Sequence, residues 1–407
     1  MTDPVRIGLL GRGTVGDAFH RLLAERADAV ETAAGRRPEV AGVLRRSEGD
    51  FDAILEASEI VVELIGGTEP AREYVLRALR AGRHVVTANK QLIAQFGDEL
   101  FDAARESGVQ LRFEAAVAGV VPVIRVIQES LAATEITKVF GIVNGTTNFI
   151  LTEMANTGAS YTDALRRAQE LGYAEADPSD DVGGADAAAK MAILARLAFG
   201  APVALADVSY AGITEIQPDD IAYAKEFGLS LKLLGVAERR DGGISVRVFP
   251  CFLYAHHPLA PIEGPFNAVM VEAPTITEIT MSGPGAGGVE TASAVLGDVV
   301  SILSGRAPVH VAGESLEIVS DISSAFYLHL EVADRPGVLA QVADVLGRNE
   351  VSVRSVVQRG LGDEARLVMV MHEGRESSFF ASLAEIGGLE FVRAQPRAIR
   401  VIEEEFV

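Results

Sequence analysis

A short apolar run, Val5-Arg6-Ile7-Gly8-Leu9-Leu10, leads straight into Gly11-Arg12-Gly13-Thr14-Val15-Gly16. An amphipathic stretch follows, with Val15, Phe19, Leu22 and Leu23 on one helical face. Strand, glycine turn and helix in this order constrain the fold more than any other segment. Gly11 allows a tight turn, Gly13 lets the backbone approach a pyrophosphate, and Gly16 lets helix and strand pack closely. The phosphates would sit at the helix N-terminus beside Thr14 and Val15, where free N–H groups and the dipole favour anions. Further strands are expected at 39–44, 60–65 and 84–87, with a helix at 71–81. The alternation predicts a doubly wound α/β domain with a buried parallel sheet.

The 407 residues leave room for two or three domains. A net charge of −21 argues against nucleic acid or an anionic membrane as the main partner. No uninterrupted apolar run of about 18 residues occurs, so no membrane span is expected. Met1-Thr2-Asp3-Pro4 passes directly into a strand without a secretory leader pattern, and the single cysteine, Cys251, fits a reducing cytoplasm. Cys251 stands in a packed apolar run and reads as structural.

The second strand ends at Arg45-Arg46 rather than at an acid. An acid there would accept from the 2′-hydroxyl of NAD, whereas arginine suits the 2′-phosphate of NADP. Two solvated loop arginines are the plainer alternative. Lys90, in Thr87-Ala88-Asn89-Lys90, closes a strand at the edge where open parallel sheets bind ligands. Phe113-Glu114-Ala115-Ala116-Val117-Ala118-Gly119-Val120-Val121-Pro122 is expected to continue the sheet, with a single acid in an apolar run.

From Glu175 to Asp186 five acids fall in twelve positions: Glu175, Asp177, Asp180, Asp181 and Asp186. Mutually repelling carboxylates at this density call for an external partner such as a cation or a polar substrate. Asp186 and Lys190 stand at i and i+4, on one face of a helix beginning near Ala185. A lysine held beside carboxylates on an apolar helix is a candidate proton-transfer group. The alternative is a solvated acidic loop with an ordinary surface pair. Asp177 and Asp180 are read as shaping the turn.

Thr87-Ala88-Asn89-Lys90, Val143-Asn144-Gly145-Thr146-Thr147-Asn148 and Gly172-Tyr173-Ala174-Glu175-Ala176-Asp177-Pro178, continuing through Asp181 to Asp186 and Lys190, together resemble homoserine dehydrogenase over residues 1 to 310. The resemblance implies Lys190 as the acid–base group and Lys90 as a second catalytic lysine between nicotinamide and substrate. It implies Glu175, Asp181 and Asp186 as substrate residues or as groups that orient the lysine. Glu114, with the carbonyls of Val117, Gly119 and Val121, matches a site for a monovalent cation such as sodium, and all-oxygen donors suit a hard ion. Gly287, in the second glycine turn Gly283-Pro284-Gly285-Ala286-Gly287-Gly288, would lie near the nicotinamide. Two departures from the family pattern are Glu290-Thr291, where most members have Pro-Thr, and Gly119-Val120-Val121-Pro122, where most have Gly-Gly-Ile-Pro.

Beyond residue 320 the order of elements is expected to be βαββαβ, with Asp334-Arg335-Pro336-Gly337-Val338-Leu339 at the first turn. This resembles an ACT domain, a ferredoxin-like module that commonly binds an amino acid at a dimer interface. Threonine is the implied effector; a plain dimerisation module is the alternative. The expected organisation is a Rossmann-like NADP domain (1–130 with 285–310), an α+β catalytic and dimerisation domain (131–284), a linker (311–324) and the ACT domain (325–407). The activity so implied is NAD(P)-dependent interconversion of L-homoserine and L-aspartate 4-semialdehyde by a homodimer or homotetramer. A non-catalytic amino-acid and nucleotide sensor, or another amino-acid dehydrogenase, are the competing readings.

Overall fold

The computed structural model describes residues 3–46, 48–240, 242–309, 316–360 and 362–402. Residues 311–315 of the expected linker and 403–407 of the last module lie outside the described residues.

The first layer is β1 (Val5–Leu10), α1 (Thr14–Ala34), β2 (Pro38–Leu44), α2 (Phe51–Ala57), β3 (Ile60–Glu63), α3 (Ala71–Arg80), β4 (His84–Thr87), α4 (Lys90–Glu106) and β5 (Leu111–Arg112). Its five strands are parallel in the order β2-β1-β3-β4-β5. The order reverses at β1, so the crevice beyond its carboxyl end, between β1 and β3, is where a ligand of such a sheet belongs. The sheet stops earlier than expected. After Arg112, Glu114–Ala116 form a single 3₁₀ turn, and Ala118 and Gly119 take left-handed conformations with φ of 58° and 63°. The chain leaves the ladder because the Glu114 N–H is bonded to the Asp298 carboxylate (2.8 Å), while the Glu114 carboxylate accepts from Ile124 and Arg125 N–H. That carboxylate thereby caps α5 (Val123–Arg125), which runs on into a π-helical turn.

The middle of the chain folds as β6 (Lys138–Ile142), α6 (Gly145–Thr157), α7 (Tyr161–Glu170), α8 (Ser179–Val182), α9 (Ala185–Phe199), β7 (Ser209–Tyr210), α10 (Pro218–Glu226), β8 (Leu229–Arg240), β9 (Gly243–Tyr254), β10 (Phe266–Ala273) and β11 (Thr277–Pro284). Then α11 (Gly288–Leu303) returns to the first layer: Ala292, Val295 and Val299 share a core with Ile7, Leu9, Phe19 and Leu23. The helix α9 is buried nearly all round and lies close on the mixed sheet. Gly141 and Gly235 permit this, since a Cβ would lie 3.1 Å from the Met191 side chain at Gly141 and 2.3 Å from it at Gly235.

The last module is β12 (Glu317–Ile318), β13 (Ser323–Ala333), α12 (Val338–Arg348), β14 (Val353–Gly360), β15 (Glu364–Met371), β16 (Gly374–Arg375), α13 (Glu376–Gly387) and β17 (Arg397–Ile402). Its four long strands run β17-β13-β15-β14, the ferredoxin-like order expected of βαββαβ. The module is not a separate bead. Strand β17 pairs in parallel with β9 (Arg400 opposite Cys251), so one sheet, β11-β10-β6-β8-β9-β17-β13-β15-β14, crosses both modules. Ion pairs reinforce the seam: Asp220 on α10 receives Arg397 at 3.1 Å and lies 2.9 Å from the His329 ring. Cys251 is buried in β9, and burial pushes its thiol up to about 11, consistent with a packing role.

Candidate active site

The glycine turn takes the form its residues dictate. Gly11 has a φ of 95°, and a Cβ there would lie 2.5 Å from the Leu64 carbonyl at the end of β3. A Cβ on Gly16 would lie 2.2 Å from the Gly11 carbonyl, so the third glycine closes the turn on itself. Gly13 is different: nothing in the protein stands within 4 Å of the Cβ position. The space is open, and Gly13 supplies no side chain to cap α1, whose first N–H groups stay available to an anion. Thr14 and Val15 open that helix. The residues therefore fit a dinucleotide phosphate.

Two further segments converge there. The Gly11 N–H donates to the Leu44 carbonyl (2.9 Å), which places Arg45 beside the turn. Arg45 and Arg46 are exposed, and Arg45 pairs with Glu48 at 3.2 Å. From the other side, a Cβ on Gly288 would touch Thr14 Cγ2 at 3.0 Å, so the second glycine turn abuts the first helix. Gly287 has φ 141° and ψ 149°, a region open essentially to glycine alone, and the Glu290 carboxylate folds back over it.

The polar centre is built at the start of α9. Lys190 Nζ donates to Asp186 Oδ2 and to the Val143 carbonyl, both at 2.8 Å. Lys90 pairs with the other oxygen of Asp186. Asp186 is 4% exposed; burial pushes its carboxyl up, but the two lysines outweigh this and hold it well below the usual carboxylate range. Lys90 is likewise desolvated, yet Asp186, with Asp181 and Asp180 behind it, raises its ammonium above the ordinary value. Lys90 is fixed as the first residue of α4: Asn89 caps that helix through Leu92 N–H (3.1 Å) and ties back to the Gly67 carbonyl (2.6 Å).

Asn144, in the Asn-Gly-Thr-Thr segment, has a role at this centre that its sequence context does not reveal. Its Oδ1 caps α6 through Thr147 N–H (2.8 Å), and its Nδ2 donates to Asp181 (2.7 Å) and Asp186 (2.9 Å). Asn before Gly-Thr-Thr is a helix start in its own right, and the cap leaves the amide NH₂ free for neighbours. Asp181 is half-buried; burial raises its carboxyl despite Asn144. Glu175 is not drawn into this group. It is exposed on the α7–α8 loop, and its carboxylate has no partner among the described residues. The loop is pinned near the site by Tyr173, whose carbonyl accepts from Thr146 (2.6 Å) and whose ring packs on Phe149. Asp177 binds Ser179 and shapes the turn, as expected.

The cation set is mixed. Glu114 is 2% exposed, and burial beside Asp298 pushes its carboxyl up to about 7; Asp298 itself is raised by burial to about 6. Val121 already accepts from Val123 N–H. Arg125 stands 3.8 Å from Glu114 and 3.3 Å from Asp298, one cation shared by two buried acids, and each carbonyl keeps a second lone pair, so the oxygens of this loop fit a hard monovalent ion. Among the described residues no group of three His, Cys, Asp or Glu could hold a metal, which leaves any ion site to backbone oxygens.

Comparison with known proteins agrees with this geometry. The homoserine dehydrogenase NAD-binding domain matches residues 11–114, the homoserine dehydrogenase family 122–300 and the ACT domain 326–391. The homoserine dehydrogenase of Corynebacterium glutamicum is 43% identical, covering 98% of this chain and 95% of its own.

The chain belongs to the homoserine dehydrogenase family.

The solved homoserine dehydrogenase of Thiobacillus denitrificans superposes with a TM-score of 0.92 at 37% identity, over 98% of this chain and 99% of its own. A hyperthermophilic archaeal homoserine dehydrogenase solved with NADPH covers 75% of this chain and 100% of its own, at 29% identity and a TM-score of 0.64. The chain thus carries the homoserine dehydrogenase oxidoreductase fold, with an NAD(P)-binding domain and an ACT module. Among the described residues no helix is long and apolar enough to cross a membrane.

Proposed function

We propose that this homoserine dehydrogenase interconverts L-homoserine and L-aspartate 4-semialdehyde with NADP preferred over NAD, Lys190 acting as acid–base. The supporting observation is the convergence of Lys190, Lys90 and Asn144 on one buried carboxylate, Asp186, next to the ligand edge of the nucleotide sheet. A bound nicotinamide supplies or accepts the hydride. In the reducing direction Lys190 gives its proton to the aldehyde oxygen as that oxygen gains negative charge. Asp186 holds the ammonium in place, and the Val143 carbonyl fixes its direction. Lys90 adds positive charge on the same side. Asp181 and Glu175 face the substrate's ammonium group, and the free carboxylate of Glu175 is available for it. Arg45 receives the 2′-phosphate.

A sodium-like cation is proposed on the carbonyls of Val117, Gly119 and Val121, with Glu114 and Asp298 supplying negative charge nearby. The ACT module is proposed to bind threonine as a feedback inhibitor of a cytoplasmic homodimer or homotetramer. The nucleotide domain is placed at 1–130 with 285–310, the catalytic domain at 131–284, the linker at 311–324 and the ACT module at 325–407.

The direct test is Lys190→Ala. Its turnover, followed at the NADPH absorbance band with homoserine or the semialdehyde, should fall by about 10²–10⁴-fold, the usual worth of proton-transfer catalysis, while NADPH still binds. Near-wild-type turnover removes Lys190 from its role. Calorimetric titration of threonine into the full chain, with and without cofactor, tests the regulatory part.

A further inference from the structure

Asn267, the second residue of β10, is fully buried, and neither its amide oxygen nor its amide nitrogen has a hydrogen-bond partner among the described residues. Buried amides are almost always bonded, and an orphan of this kind calls for a partner that binds later. Three observations locate that partner. First, the amide lies against the second glycine turn: a Cβ on Gly285 would stand 2.3 Å from Asn267 Oδ1 and 2.7 Å from Nδ2. Gly283 of the same turn is opposite Asn267 in the β10–β11 register, and Gly288 touches Thr14 at the dinucleotide helix.

Second, Ala268 is opposite Ile142, so Asn267 stands one step further along, beside Val143, whose carbonyl holds Lys190. Third, strand alternation fixes the side of the sheet. Val269 and Val271 share a core with Val139, Val143 and Met191 of α9, whereas Ala268 and Met270 pack with Phe140 and Ile142 on the opposite face. Asn267 therefore shares the face covered by the helix that carries Asp186 and Lys190. The amide lies between the cofactor turn and the proton donor, where the ring that exchanges hydride has to be.

We propose that Asn267 binds the carboxamide of the nicotinamide, Nδ2–H donating to the carboxamide oxygen and Oδ1 accepting from the carboxamide NH₂. This rests on the dinucleotide reading above. A carboxamide offers one acceptor and one donor in the same spacing, which satisfies both orphan atoms at once; a cation would satisfy Oδ1 alone. Beyond Pro284, where the β10–β11 ladder ends, the glycine turn that covers the amide is tied by two long hydrogen bonds, Gly285 N–H to Pro265 and Val120 N–H to Pro284, each 3.4 Å. Bonds of that length are weak, so the turn can shift to admit the ring.

The test is equilibrium binding by calorimetry to the full chain of NADP and of its 3-acetylpyridine analogue, in which a methyl ketone replaces the carboxamide and removes its NH₂ donor. The wild-type chain should bind the analogue about 10-fold more weakly, the loss of one buried hydrogen bond. Asn267→Ala should weaken NADP by 10-fold or more and bring the two ligands within two-fold of each other. Asn267→Ser, a smaller perturbation with the same expectation, serves if the alanine variant does not fold. Equal binding of both ligands by the wild type, or discrimination that survives in the variants, overturns the assignment. If wild type binds neither ligand, the dinucleotide reading itself fails; if it binds both equally and still turns over homoserine, only the role of Asn267 fails.

Discussion

Replacing Asn144 separates two jobs that one side chain performs. Asn144→Ala removes the cap of α6, worth about 1 kcal/mol, and withdraws donors from Asp181 and Asp186 at 2.7 and 2.9 Å. A hydrogen bond to a charged group contributes about 1.5–3 kcal/mol, and the lower end applies to Asp181, which reaches water. The expected destabilisation is therefore about 4–5.5 kcal/mol. Asn144→Asp keeps the cap but places a third carboxylate beside two others. Its folded pKa must lie above the unfolded value near 4, so its stabilising share is fully present below pH 4 and is lost as pH rises through the folded pKa. Relative to Asn144→Ala, the aspartate variant should lose up to about 1.4 kcal/mol per pH unit as pH rises from about 4 toward its folded pKa. Urea midpoints by far-UV circular dichroism at three pH values provide the comparison. Parallel pH profiles for the two variants, or an alanine variant within about 0.5 kcal/mol of wild type, would refute the assigned network.

Three other outcomes are expected. Gly13→Ala should fold with wild-type stability and lose dinucleotide affinity, because the Cβ enters open space, whereas Gly16→Ala should lose stability as well, its Cβ lying 2.2 Å from the Gly11 carbonyl; thermal melts and NADPH titration distinguish the two. Arg45→Ala should raise KM for NADPH at least 10-fold and leave NADH unchanged, as loss of one arginine–phosphate contact requires; equal effects on both cofactors would exclude the 2′-phosphate role. Lys232 is 4% exposed, and burial draws its ammonium down to about 8. A base whose folded pKa lies below its unfolded value loses stability as pH falls through that interval, so Lys232→Met should stabilise the chain by about 1–2 kcal/mol at pH 7, and the gain should shrink between pH 8 and 10; a pH-independent difference in melting would contradict it.

The parts of this molecule legible in its sequence are those set by local pattern. Gly11-Arg12-Gly13-Thr14-Val15-Gly16 announces a strand–turn–helix because each glycine answers a specific steric demand, and the i,i+4 spacing of Asp186 and Lys190 survives intact on α9. The segment after Phe113 looks like a strand in sequence, because its apolar residues are buried, but it is a loop that turns away where the Glu114 N–H bonds to Asp298, 184 residues away. The roles of Asn144 and Asn267 are hidden for the same reason. An amide has no tell-tale spacing, and its partners, Asp181 and Asp186 in one case and the Gly285 turn in the other, are brought to it by tertiary structure. The continuity of β9 with β17 was equally invisible, since strand pairing between modules leaves no mark on either strand.

That shared sheet bears on how the protein is made. Strand β9 is complete at Tyr254, yet the strand that covers its outer edge begins at Arg397, about 140 residues later in synthesis. During that interval, among the described residues, the edge of β9 opposite β8 is lined by the short β7 and β12 alone, and the rest of that edge is a template for wrong pairing with another nascent chain. The regulatory module is therefore also the closing piece of the catalytic one, and damage to β17 should lower the yield of folded enzyme before it alters any response to an effector.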